Sequence, residues 1–131
     1  MRREILFRAK KETDGKWVEG LPNYCSDNGS ITKFETYGPH SSGVYTVDPD
    51  TICQYTGLTD KNGHKIFEND IVRGRMHGTY GYRMYTGVAE YYRDGFKANV
   101  NPKSDFCDYK NIPDRCEVLG NVFDNPDLII P

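Results

Sequence analysis

The chain predicts an all-β fold, a barrel or a sandwich, on three observations. Short runs of alternating apolar and polar residues are separated by turn signals about every ten residues. Aromatics make up 13% of the chain, with ten Tyr and six Phe, a core vocabulary that suits pleated, half-buried surfaces. Ala occurs only at Ala9, Ala89 and Ala98, while 13 Gly and 7 Pro argue against long helices. With 131 residues and 37% hydrophobic content, residues 1–131 are expected to form a single domain.

The elements follow in order. Arg3–Lys10 reads as a strand with Ile5 and Phe7 on one face and Leu6 and Arg8 on the other. Asp14-Gly15 is a hairpin signal, because both residue types tolerate positive φ. Lys16–Gly20 is then the returning strand, and Trp17, the only tryptophan, is expected to anchor a core. Leu21–Pro49 is less orderly. Asp27-Asn28-Gly29 reads as a turn, Ile31–Tyr37 as a strand, and Gly38–Gly43 as a loop open to a partner. Val44–Asp48 is a short strand that Pro49 ends.

The segment Thr51–Val72 reads as strand, turn, short strand, acidic turn and strand, with Asp60-Lys61-Asn62-Gly63 the hairpin and Glu68-Asn69-Asp70 the acidic turn. Ile71–Gly74 begins the next strand and Gly78–Gly81 is a turn. Arg83–Tyr92 is a long strand, Asp94-Gly95 turns it, and Phe96–Val100 returns. Pro102–Asp114 is expected to be a polar loop with one helical turn. Glu117–Phe123 closes the fold, and Asn125 is a candidate cap for a short turn through Leu128.

A net charge of −2 exerts no global pull toward nucleic acid or an anionic membrane. No stretch approaches membrane-spanning length, and the N-terminal residues lack the apolar run of a secretion signal. The cysteines are Cys25, Cys53, Cys107 and Cys116, with no Cys-x-x-Cys pair. The expectation is a cytoplasmic protein with free thiols, two disulfides being the alternative.

Three ordered segments resemble the YopX family. They are Ile5–Lys10 with Lys16-Trp17-Val18, then Gln54–Gly63 with Ile66–Val72, then Glu117–Leu128. Family members often carry an aromatic at the position of Lys10 and Gly at the position of Asn69; Asn tolerates positive φ, so the turn is expected to survive. The resemblance implies a mainly β fold with a small SH3-like barrel, the barrel portion roughly 51–123, beside the N-terminal hairpin. It also implies a phage or prophage origin. It implies no catalytic residue, since the family is functionally uncharacterised.

Candidate chemistry is sparse, and no catalytic residue, cofactor or metal site is predicted. Glu68 and Asp70 could share a metal or do acid–base work, but a turn in which Asp70 accepts backbone N–H bonds accounts for them. His40, His64 and His77 with the four cysteines lack paired zinc-ligand spacing. Gly78-Thr79-Tyr80-Gly81 matches a bare Gly-x-x-Gly pattern, but its flanks read as strands rather than helices.

The best patch is Arg73–Arg93, where four arginines meet one acid, Glu90, and five tyrosines. Its candidate binding residues are Arg73, Arg75, His77, Tyr80, Tyr82, Arg83 and Tyr85. Arg and Tyr are enriched at protein interfaces; on a small barrel they could instead stack bases and hold phosphates. The final third is acidic, so the arginine-rich segment of one copy could meet the acidic segment of another; intramolecular neutralisation is the alternative. The expected function is a phage or prophage accessory protein that acts by binding protein, itself included. Single-stranded nucleic-acid binding is the alternative, and an enzyme with an unrecognised site the weaker one. No membrane partner is expected.

Overall fold

The computed structural model describes residues 4–25, 31–36 and 43–129. The chain divides into two compact units, Met1–Tyr55 and Thr56–Pro131. The described elements are strands and two 3-10 turns, so the mainly β class holds.

The first unit contains β1 (Phe7–Lys10), β2 (Trp17–Cys25), β3 (Ile31–Thr36), β4 (Gly43–Thr46) and the start of β5 (Cys53–Thr59). β1 pairs antiparallel with β2, matching Ala9 to Val18 and Lys10 to Trp17, and on its other side with β5, matching Arg8 to Cys53. Their hairpin closes as the Asp14-Gly15 signal predicts. Gly15 sits at φ +71°, Gly15 N donates to Lys11 O at 2.9 Å, and Lys16 N donates to Asp14 Oδ1 at 3.0 Å. β2 runs beyond Gly20 into the stretch expected to be irregular, and bulges flanking Tyr24 accommodate Pro22 within the ladder. β3 pairs with β2 and with β4, and Val47 after β4 bridges Lys11 after β1. The sheet curls over Ala9, Phe34 and Val47, with Phe7, Val18 and Ile52 packed against them.

Trp17 is not in that core. Val18 opposite Ala9 faces inward, so alternation turns Trp17 to the other face. There the guanidinium of Arg8 lies 4.5 Å from the ring centre and the Lys10 ammonium 5.5 Å. The expected tryptophan anchor is instead a half-buried cation–π platform. A 3-10 turn, Pro49–Thr51, leads into β5. The buried Thr51 hydroxyl donates to Asp48 O at 2.7 Å and accepts from Lys10 N at 2.8 Å, tying the turn to β1.

The second unit contains the rest of β5, then β6 (Lys65–Phe67), β7 (Asp70–Gly78), β8 (Gly81–Tyr92), β9 (Gly95–Asn99), β10 (Tyr109–Lys110) and β11 (Glu117–Asn121). Its sheet has the order β10-β9-β8-β7-β11. Among the described residues no ladder joins β10 to β11, so within the expected barrel portion, 51–123, strands β7 to β11 form an open sheet rather than a closed barrel, and β5 and β6 are not part of it. One face packs Val72, Met76, Ala89 and Ala98 with Ile66, Ile112 and Cys116. The helical turn expected in Pro102–Asp114 is absent; that segment is bends and turns before and after β10.

The turns of this unit follow their chemistry. Asp60 is buried, and its carboxylate accepts from Asn62 N and His64 N at 2.9 Å each and from Val118 N at 3.0 Å. Asp70 accepts from Phe67 N at 2.8 Å, the structural role expected of the acidic turn. Asn69 stands at φ +70° where the family often carries Gly. Its N–H donates to Ala89 O at 2.7 Å and its carbonyl accepts from Val122 N at 3.0 Å. Asn125 stands at the N-cap of the 3-10 turn Pro126–Leu128, as expected, with its carbonyl accepting from Leu128 N at 3.1 Å but its side chain making no capping bond; its Oδ1 accepts from Asn121 N at 3.2 Å. Asp27-Asn28-Gly29, Tyr37, His40 and the rest of the loop before Gly43 lie outside the described residues, as does the side chain of Cys25.

Candidate functional site

β7 and β8 pair over a longer span than the sequence suggests, from Ile71↔Val88 to Gly78↔Gly81. Their neighbours are shorter. β11 reaches only Arg73 on β7, and β9 only Val88 on β8. Residues 74–87 therefore form a two-stranded arm whose outer edges carry no further strand among the described residues. Gly74 and Gly78 on β7 are buried, and they leave room where side chains would collide. A Cβ at Gly74 would stand 3.0 Å from Pro113 Cγ and 3.1 Å from Cys116 Cα.

Strand alternation sorts the candidate residues. Arg73, Arg75 and His77 are exposed and share one face with their partners Thr86, Met84 and Tyr82. The Arg75 guanidinium lies 5.8 Å from the Tyr82 ring centre, and the His77 ring meets Tyr82 edge-on at 5.4 Å. Tyr80 is 87% exposed at the tip. Arg83 and Tyr85 lie on the opposite face: Arg83 is exposed, and Tyr85 packs against the core beneath the Lys110 ammonium, 4.9 Å from its ring. Sequence reasoning missed Met84 and Thr86. The register set by the Gly78–Gly81 turn, counted outward, places both opposite arginines.

The single acid of the patch is held elsewhere. Glu90 accepts from the Tyr109 hydroxyl at 2.9 Å and from Asn99 Nδ2 at 3.3 Å. The hydrogen bond to Glu90, with burial added, pushes the Tyr109 phenol up to about 12. The acidic final third is neutralised partly in place, through Asp108 with Lys110 at 3.4 Å and Glu117 with Lys61 at 3.5 Å. Among the described residues, no ion pair engages Arg73, Arg75 or Arg83.

Beside the arm lies a cleft of about 440 Å³ whose walls include Arg75, His77, Tyr82, Lys110 and Asn111. The loop before β10 carries Phe106, 85% exposed, another residue that sequence reasoning passed over. Among the described residues, no three of His, Cys, Asp and Glu come together as a metal site, and His64 reaches only Asp60, at 3.5 Å. Among the described residues no helix is long and apolar enough to cross a membrane. Cys53 and Cys116 are buried free thiols, and Cys107 is an exposed one.

The family model described as YopX protein matches residues 6–130. The crystal structure of protein EF1440 from Enterococcus faecalis superposes with a TM-score of 0.58 at 24% identity, covering 98% of this chain and 100% of that one. That likeness speaks to the fold alone. Among curated proteins none matches.

Proposed function

The chain belongs to the YopX family, and from that premise we propose that it is a binding protein whose β7–β8 arm docks onto other protein. The observation that carries this is the arm itself: Arg75, His77, Tyr82 and Met84 exposed together on one face of a ribbon whose edges carry no further strand among the described residues. Tyr, Met and Arg are the residues enriched at protein interfaces. An open strand edge offers a row of backbone donors and acceptors to an incoming strand.

Single-stranded nucleic acid is the second reading, and the same geometry favours it less. Arg83 faces away from Arg73 and Arg75, so the three cations do not share a phosphate-binding surface. Met84 occupies a place where a stacking ring would be useful. The family resemblance supports a phage or prophage accessory protein working in the cytoplasm of the bacterial host.

The test is a photo-crosslinking residue in place of Thr79 or Met84 in the cell. Covalent adducts with protein, lost when the residue is moved to Arg83 on the opposite face, are the expected result. Adducts that a nuclease removes would replace this reading with the nucleic-acid one, and no adduct at either position would end it.

A further inference from the structure

We propose that the arm's partner is a second copy of this chain, whose Phe106 enters the cleft beside Arg75. The inference rests on the protein-docking reading and names its occupant. The cleft has about 440 Å³ of space, and its walls combine two chemistries. Pro113 and the rings of Tyr82 and Tyr109 supply apolar surface, while Arg75 supplies positive charge that no ion pair among the described residues neutralises; the Lys110 ammonium is paired with Asp108. Among the described residues no carboxylate lines it. The occupant it suits is an aromatic ring with an acidic neighbour.

The chain carries such a group. Phe106 is 85% exposed and stands in the acidic sequence Asp105-Phe106-Cys107-Asp108. The loop that presents it is held by its own hydrogen bonds. Asn101 Nδ2 donates to Phe106 O at 3.2 Å, Phe106 N donates to Ser104 Oγ at 3.0 Å, and Val100 N donates to Asp108 O at 2.8 Å. An aromatic side chain fixed outward by an ordered backbone loses little conformational freedom on docking. Asp108 is already drawn to Lys110, which leaves Asp105 as the carboxylate available to Arg75.

Position argues for reciprocity. The knob leaves the chain at Phe106 and the cleft wall begins at Tyr109. Knob and cleft are therefore neighbours on one copy, the arrangement a two-fold axis needs for each copy to fill the other's cleft in a single interface. Arg75 and Asp105 then meet twice per dimer.

The experiment is mass by light scattering and sedimentation on the full chain across concentration and salt. The expected result is a dimer at twice the 15.0 kDa chain mass, weakened by salt because exposed opposite charges contribute. Phe106→Ala, Arg75→Glu and Asp105→Lys should each weaken dimerisation at least about tenfold, the loss expected for a central anchor, with unchanged circular dichroism, since all three side chains are exposed. Mixing Arg75→Glu with Asp105→Lys should restore the dimer, because both contacts of the mixed pair then carry opposite charges. A mass that stays at one chain throughout overturns the proposal, as does a dimer indifferent to these substitutions or a mixture that stays monomeric. The docking reading fails separately, through the absence of protein adducts at the arm.

Discussion

The carboxylate of Asp60 accepts the backbone N–H of Val118 at 3.0 Å, joining positions 58 residues apart. The same side chain closes its own turn through Asn62 N and His64 N, while Lys61 N donates to Cys116 O at 2.9 Å. One acid thus fixes the hairpin after β5 and holds the start of β11. Burial works to raise its pKa, and the hydrogen bonds from Val118, His64 and Asn62 outweigh it, so the net displacement is downward.

Asp60→Ala should cost roughly 3 kcal/mol in urea unfolding, since three hydrogen bonds to a charged acceptor are lost together. A loss below about 1 kcal/mol would contradict this assignment. The pH dependence has a definite sign. The contribution is fully present above the ordinary aspartate value of 3.8 and is lost as pH falls through the lower folded value. The wild-type chain should therefore lose more stability on acidification than Asp60→Asn does.

Gly120 should not tolerate a side chain. A Cβ there would stand 2.2 Å from Asn125 Oδ1 and 3.1 Å from Asn125 Cβ, and that Oδ1 accepts from Asn121 N. Gly120→Ala is expected to destabilise by about 1–3 kcal/mol, as overpacking does. Gly120→Ala with Asn125→Gly should recover part of the loss in thermal unfolding. Equal melting temperatures for wild type and Gly120→Ala would show that Asn125 moves aside freely.

Tyr109 should remain a phenol far into alkali. Its pKa of about 12 stands above the ordinary 10.0, so its stabilising contribution is complete below pH 10.0 and disappears as pH rises through the folded value. Ultraviolet titration of the wild type against Tyr109→Phe should isolate one late-ionising tyrosine. If the difference spectrum titrates near 10, the bond to Glu90 is not maintained in solution.

Among the described thiols, Cys107 should react first with an alkylating reagent. It is exposed, whereas Cys53 and Cys116 are fully buried, and burial pushes the Cys116 thiol up, further reducing its thiolate. Peptide mapping after brief labelling should find Cys107 modified, with Cys53 and Cys116 labelled only in denaturant. Rapid labelling of Cys116 in the native chain would mean that the Ile112–Cys116 segment opens readily.

Local chemistry accounts for what was legible. Asp14-Gly15, Asp60–Gly63 and Asn69 each mark a turn that the chain makes, because turn formation depends on side chains and φ preferences a few residues apart, whereas the turn expected at Asp94-Gly95 falls one residue earlier, with the positive φ on Arg93 and Gly95 already paired with Tyr92. The arm's candidate residues were legible as a group, being consecutive and rich in Arg and Tyr. Their division was not: Arg73 and Arg75 parted from Arg83 once the β7–β8 register was known, since a shift of one residue exchanges the faces. Trp17 failed for the same reason, as composition favours a buried tryptophan while pairing with Lys10 turned it outward.

By itself, then, the sequence determined the class of fold, the places where the chain reverses and the family to which it belongs, all of which depend on short-range preference or ordered motifs. Only the tertiary structure decided that β7 to β11 of the expected barrel portion stay an open sheet, that β7 and β8 outrun their neighbours, and that Phe106 stands exposed. Those features rest on strand lengths and pairings between residues far apart in the chain. Backbone hydrogen bonding carries no side-chain label, so the lengths of β9 and β11, rather than any motif within residues 74–87, leave the arm's edges open.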